Sequence, residues 1–192
     1  LDKWYVFYHR QTNRHEYSRQ ACAESITLDK HGEIRQVEMT SCGLNGGPLQ
    51  GKGTYSSHIA CQLYAKTGAS SYSPLVLFKC LRKHPYLTQI GEDREDNPNQ
   101  YIANIRHESV VGYKYFMFSK LKSIAIEITG KGEGKVEAYT DLARPAIAVI
   151  DVSANHKAQT FSAKTKAISG THPLYFKYFG KGYIDLISFT LA

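Results

Sequence analysis

Residues 4–24, WYVFYHRQTNRHEYSRQACAE, decide how the chain is read. Trp4, Val6 and Tyr8 alternate with Tyr5, Phe7 and His9. A period of two with this density of aromatic rings predicts a pleated strand whose faces are both at least partly covered. The charged stretch 10–14 interrupts the run, and residues 20–26 resume an extended pattern with the small side chains of Ala21, Cys22 and Ala23. The stretch therefore reads as strand, polar loop, strand. Asp29-Lys30-His31-Gly32 then supplies turn chemistry, and residues 33–39 alternate Ile34, Val37 and Met39 imperfectly with polar neighbours. That predicts a third strand of an antiparallel meander, a unit that cannot bury both of its own faces.

The rest of the composition agrees with an all-β chain. In 192 residues there are 14 Tyr and 8 Phe, and apolar residues come mostly in short runs broken by Gly, Asn and Ser. A chain of this length buries a sizeable core as one large or two small domains. No run approaches the roughly 20 apolar residues of a membrane-spanning helix, so no membrane partner is expected. The formal charge is +7, yet Lys and Arg are dispersed among acidic residues, as in GEDRED and GKGEGKVE, and form no basic stripe. Nucleic-acid binding is not expected from that pattern. Cys22, Cys42, Cys61 and Cys80 contain no CxxC pair and no His at zinc spacing, and the apolar surroundings of Cys22 and Cys61 predict buried free thiols. The chain opens at Leu1 without an initiator Met or a secretory signal, and further sequence is expected upstream, leaving the compartment open.

Gly43-Leu44-Asn45-Gly46-Gly47-Pro48 predicts a rigid turn, since it lacks the GxxxxGK pattern of a phosphate loop and no helical period follows. Residues 58–65 and 75–81 are short apolar segments. Residues 84–100 are turn-rich and charged, and they place a domain boundary near residue 85, dividing the chain into 1–85 and 86–192. Beyond it, strands are predicted over 101–105, 110–118, 123–129, 136–140, 146–152, 158–163, 173–179 and 183–191, with the glycine-rich run 130–134 as a hairpin-type connection. Short strands at this spacing indicate a jelly-roll β-sandwich.

Three motifs in the first part, Tyr8-His9-Arg10, Ser18-Arg19-Gln20-Ala21-Cys22-Ala23-Glu24 and Val37-Glu38-Met39-Thr40-Ser41, resemble the closing section of a glycoside hydrolase family 43 catalytic domain. Val111-Gly112-Tyr113-Lys114, Gly170-Thr171-His172, Leu174-Tyr175-Phe176 and the run Ile184-Asp185-Leu186-Ile187-Ser188-Phe189 resemble a family 6 carbohydrate-binding module. The first resemblance covers roughly residues 1–65 and implies the last-blade region of a partial five-bladed β-propeller. The second implies the jelly-roll sandwich. Together they imply part of an enzyme that hydrolyses arabinofuranosyl or xylosyl linkages of plant cell-wall polysaccharide with inversion. The alternative is a non-catalytic carbohydrate-binding or docking module.

Inverting glycosidases need two carboxylates about 6.5–9.5 Å apart, with a water between base and sugar. In the family these acids come from earlier blades, so the resemblance implies no catalytic residue in this chain, no catalytic cofactor, and missing N-terminal propeller blades as a partner. Glu16, Glu24, Asp29, Glu33 and Glu38 read as surface or structural carboxylates. Arg19 matches an arginine that the last propeller section points toward the bound sugar, where its fixed donors would hold hydroxyls. His9 either supports that pocket or is a satisfied core imidazole. Sugar binding in the sandwich family rests on exposed aromatic rings. This chain has Val110 and His156 near the usual positions, Tyr113 is expected in the core, and Tyr115, Tyr178 and Tyr183 are the candidate substitutes. The resemblance also implies a structural calcium on Asp185, with Glu92, Asp93 or Glu95 as partners among the about six to eight oxygens such an ion takes.

Overall fold

The computed structural model describes residues 3–11, 19–69, 83–90 and 99–192. The opening aromatic run forms β1 (Trp4–Gln11), which pairs antiparallel with β2 (Arg19–Ile26), Trp4 opposite Ile26 and Gln11 opposite Arg19. The two strands are those expected, and residues 12–18 between them lie outside the described residues. The expected third strand does not form: residues 33–39 contribute an isolated bridge from Ile34 to Leu28, and Ile34 and Met39 stay exposed. The physical reason is where the polar groups of this segment go. Glu38 accepts from Lys114 Nζ at 2.6 Å and from the Tyr115 hydroxyl at 3.0 Å, and Ser41 exchanges hydrogen bonds with Lys114 instead of with β2. No propeller blade is formed by the described residues.

The remaining strands make one nine-stranded sheet. They are β3 (Leu49–Gln50), β4 (Gly53–Ser56), β5 (Gln62–Ala65), β6 (Gly68–Ala69), β7 (Tyr86–Gln89), β8 (Gln100–Ile105), β9 (Val110–Tyr139), β10 (Ala148–Asn155) and β11 (Gln159–Leu191). Two of these are long enough to serve both layers of a sandwich. In one layer, β10 pairs with residues 131–138 of β9, these with 175–183 of β11, these with 110–113 of β9, these with β5, and β5 with β6. In the other, residues 159–164 of β11 flank 123–128 of β9, which pair with 184–191 of β11, and these pair with β4 and β8, with β7 at the edge. The line drawn near residue 85 thus runs through this sheet, because residues 49–69 supply four of its strands. The apolar segment 75–81 lies outside the described residues, as does Cys80.

The glycine-rich run 130–134 is extended rather than a hairpin. It is held between β10 and residues 180–184 of β11. Its glycines and those facing it leave no room for a Cβ: one on Gly134 would overlap the carbonyl of Phe179, and one on the facing Gly182, at φ +72°, would overlap that of Lys131. The chains can therefore cross from one layer to the other at close range. Between the layers, alternate residues point inward, as in β10, where Ala148, Ile150, Val152 and Ala154 are buried and their neighbours exposed. The core is aromatic at its centre. The Phe189 ring lies 4.6 Å from Tyr113, 5.5 Å from Phe176, 5.7 Å from Tyr55 and 5.9 Å from Phe116. Each such buried side chain contributes about 1.5–3 kcal/mol of apolar transfer. Tyr113 is core, as expected.

Candidate functional site

In the arm, Tyr8, Arg10, Gln20 and Glu24 turn toward the rest of the chain, whereas Phe7, His9, Arg19 and Ala21 are exposed. Arg10 is the main fastening. Its Nε donates to Gln20 at 2.6 Å, and its two terminal nitrogens donate to the carbonyls of His58 and Ala60. Gln20 in turn donates to Gln100 at 2.6 Å. Burial lowers the Arg10 pKa from its ordinary value, with Cys22, Tyr8 and Cys61 opposing. A second fastening is Glu24, which is 5% exposed. Its carboxylate accepts from Tyr8 at 3.1 Å, from the Thr40 amide at 2.7 Å and from the Thr40 hydroxyl at 2.6 Å. With its acceptors occupied this way, Glu24 is structural and not a free base. Burial, then Glu24, raises the Tyr8 hydroxyl well above its ordinary value.

His9 and Arg19 lie on the other face. Both are exposed, beside Phe7 at 69% exposure and Ala21. The arm brings them to one side without closing a pocket around them among the described residues. Cys22, Cys42 and Cys61 are free and rest their sulfurs on backbone carbonyls of Gln20, Lys114 and Gly112, and burial pushes Cys22 and Cys61 up.

The three candidate tyrosines separate sharply. Tyr178 is 1% exposed, with its hydroxyl donating to Lys181 O at 2.6 Å and Glu133 O at 3.2 Å, so it cannot be a sugar platform. It shares the inward alternation of Leu174 and Phe176. Tyr115 is half-buried, its hydroxyl tied to Glu38 and the Lys114 ammonium 5.9 Å from its ring centre. Tyr183 is half-buried at the end of the sandwich where β9 and β11 change layers, and the Arg106 guanidinium stands 5.6 Å from its ring centre.

Around Tyr183 and Asp185 the chain gathers Arg106 and Asn104, which sequence patterning did not single out. Arg106 Nε donates to Asn104 Oδ1 at 2.8 Å, and the Asn104 amide donates to Asp185 Oδ1 at 2.7 Å. Asn104 and His156 both adopt left-handed backbone, at φ 61° and 67°. Such conformations aim side chains in ways that a strand pattern does not reveal. Burial raises the Asp185 carboxyl, while the Asn104 amide, Arg106 and His156 pull it down. Burial also raises Tyr101, with Asp185, Tyr86 and Tyr183 contributing. The result is an aromatic ring, a guanidinium with donors fixed in a plane, and one carboxylate. This set can hold a ring and its hydroxyls, and it lacks the paired acids of hydrolysis.

No group of three His, Cys, Asp or Glu side chains converges among the described residues, and Asp185 already accepts a backbone amide. Glu92, Asp93 and Glu95 lie outside the described residues.

No protein-family model matches the chain. A protein named Xylosidase/arabinosidase from Thermoclostridium stercorarium is 40% identical over 190 residues, which is 99% of this chain and 40% of that protein. The chain thus spans about two fifths of its curated relative. A family 6 carbohydrate-binding module from Clostridium cellulolyticum, in complex with xylose, superposes with a TM-score of 0.56 at 10% identity, covering 74% of this chain and 98% of the module. A glycoside hydrolase family 43 arabinoxylan arabinofuranohydrolase from Bacillus subtilis, in complex with cellotetraose, matches with a TM-score of 0.58 at 14% identity, covering 99% of this chain and 38% of the enzyme. At such identities the likeness is one of fold. The chain is an all-β sandwich like that of family 6 carbohydrate-binding modules, carrying a two-stranded arm, and it is homologous to a protein named Xylosidase/arabinosidase.

Proposed function

We propose that the chain is a non-catalytic carbohydrate-binding and docking module within a longer protein acting on arabinofuranosyl or xylosyl units of plant cell-wall polysaccharide. The observation that carries the reading is the Tyr183 end, where a ring, the Arg106 guanidinium and the Asp185 carboxylate converge. A pyranose offers a flat apolar face and equatorial hydroxyls, which such a set complements. The name of the relative and the xylose complex of the fold neighbour support the sugar class. Calorimetric titration with xylohexaose is the test. Heat of binding that Tyr183→Ala reduces about tenfold, a loss of ~1.4 kcal/mol, is expected. A flat trace at millimolar sugar ends the reading.

A second reading keeps the arm as part of a hydrolase. It is favoured by the match to the Bacillus subtilis enzyme, which extends over 99% of this chain. The exposed face of Phe7, His9, Arg19 and Ala21 would then meet propeller blades supplied by preceding sequence, with Arg19 toward the sugar and the catalytic acids in those blades. On nitrophenyl arabinofuranoside and xyloside this chain alone is expected to show no turnover. Turnover above buffer would place competent acids within it.

A further inference from the structure

The arm meets the sandwich at a short turn, Ser57–Ile59, between β4 and β5. Ser57 is buried, its hydroxyl donates to the Leu186 carbonyl, and its own carbonyl accepts from the Tyr113 hydroxyl at 3.2 Å. The backbone that carries His58 is thereby fixed to the core. From the other side, Arg10 donates to the carbonyls of His58 and Ala60, and Gln20 donates to the Gln100 side chain at 2.6 Å. Between arm and turn lies a cavity of about 300 Å³, with Tyr8, Arg10, Cys22 and Glu24 on one side and His58 and Ile59 on the other.

The hydrogen bonds of this junction fix where His58 carries its proton. Its Nδ1 lies 2.7 Å from the Ser56 hydroxyl oxygen, and that hydroxyl gives its one hydrogen to the Gln100 carbonyl at 3.2 Å. Ser56 therefore accepts from His58, so the neutral ring is protonated at Nδ1 and takes a second proton at Nε2. The groups facing the ring do not compensate that second proton. β1 presents Arg10 and the Tyr8 hydroxyl, β2 the Cys22 thiol and the Glu24 carboxylate, and the sandwich the Cys61 thiol and the Tyr113 hydroxyl. Burial raises Tyr8, Cys22, Cys61 and Tyr113, so none of these four supplies a negative charge in acid. Glu24 is occupied by Tyr8 and Thr40. β8 and β11 offer the turn Gln100, Ile102 and Leu186, none of which titrates. Among the described residues no carboxylate pairs with His58. Burial, then the Arg10 charge, lowers the imidazole below its ordinary 6.5. Because the turn is fastened to the core, the ring cannot withdraw, and the arm is the side that yields.

We propose that this junction is an acid-sensitive latch: protonation of His58 sets a second positive charge beside the Arg10 guanidinium and releases the β1–β2 arm while the sandwich stays closed. The released state leaves His58 in water, where it binds the proton more readily than in the latched state. Latching is therefore fully present above 6.5 and weakens as pH falls through 6.5 toward the lowered value, by at most about tenfold per pH unit for one proton. The device is independent of whether the sandwich holds sugar.

Segment-resolved deuterium exchange of the intact chain from about pH 7.5 to about pH 5, corrected for the intrinsic amide rate, tests this alongside His58→Gln and His9→Gln. Gln at 58 keeps a donor for Ser56 and cannot take the proton. The expected result is that protection of β1 and β2 falls about tenfold in acid while that of β9 and β11 holds. His58→Gln should abolish the fall, and His9→Gln, on the exposed face of the arm, should keep it. If His58→Gln loses protection of β9 and β11 as well, proton NMR titration of the His58 ring in the unaltered chain decides the matter: its midpoint should lie below 6.5 and coincide with that of arm release. Arm protection that is constant with pH, that falls equally in folded His58→Gln, or that falls together with β9 and β11 overturns the latch, as does a His58 midpoint apart from that of arm release.

Discussion

Arg10 shows how a single residue can decide the attachment of an element. Its guanidinium saturates the His58 and Ala60 carbonyls and the Gln20 amide, and nothing else of its length and planarity could do all three. Arg10→Ala should lower stability by about 3 kcal/mol, since hydrogen bonds to a charged group are lost and buried acceptors are stranded. Urea unfolding measures this, and a change within about 0.5 kcal/mol would show the arm is held otherwise. Asp185 makes a second prediction. Burial raises its carboxyl above 3.8, so the folded chain binds this proton more readily than the unfolded chain does. The contribution to stability is fully present below 3.8 and is lost as pH rises through the raised value. Asp185→Asn retains an oxygen for the Asn104 amide and removes that loss. Its melting temperature should therefore gain on that of the unaltered chain as pH climbs above 3.8, whereas a constant difference would mean the carboxyl is unperturbed.

At the scale of elements, β1 and β2 were legible because aromatic alternation and small residues survive any tertiary context. The third strand was not, because Ile34, Val37 and Met39 suggest a period while Glu38 and Ser41 are committed to Lys114 and Tyr115, partners more than seventy residues away. Glycines misled in the same way. The run 130–134 carries every local sign of a hairpin, yet it runs straight because residues 180–184 of β11 press against it. Tyr178, read from the sequence as a candidate sugar platform, is core instead, because it shares the inward parity of Leu174 and Phe176. Arg106 and Asn104 carried no such sign: their meeting with Tyr183 and Asp185 depends on pairing β8 with β11 and on one left-handed residue. Gly182→Ala tests the close crossing. Its Cβ would overlap the Lys131 carbonyl in a backbone region at φ +72°, and a loss of about 2–4 kcal/mol in chemical unfolding is expected. An unchanged midpoint would mean the two strands do not approach so closely.

For the whole molecule, the sandwich is the stable body and the arm an attachment made through Arg10, Glu24 and Glu38. One face of the arm, with Phe7, His9 and Arg19, is left open. Backbone amides of β1 and β2 should exchange with deuterium before those of β9 and β11, which are paired on both sides in the sheet. Exchange at equal rates would make the arm and sandwich one cooperative unit. The central claim is that this body holds polysaccharide without cutting it, and a depletion isotherm on insoluble arabinoxylan tests it most directly. The account predicts saturable retention of the intact chain, weakened about tenfold in the Tyr183→Ala variant, with no release of reducing sugar. Failure of the intact chain to be retained, or sugar released by it, would contradict the account.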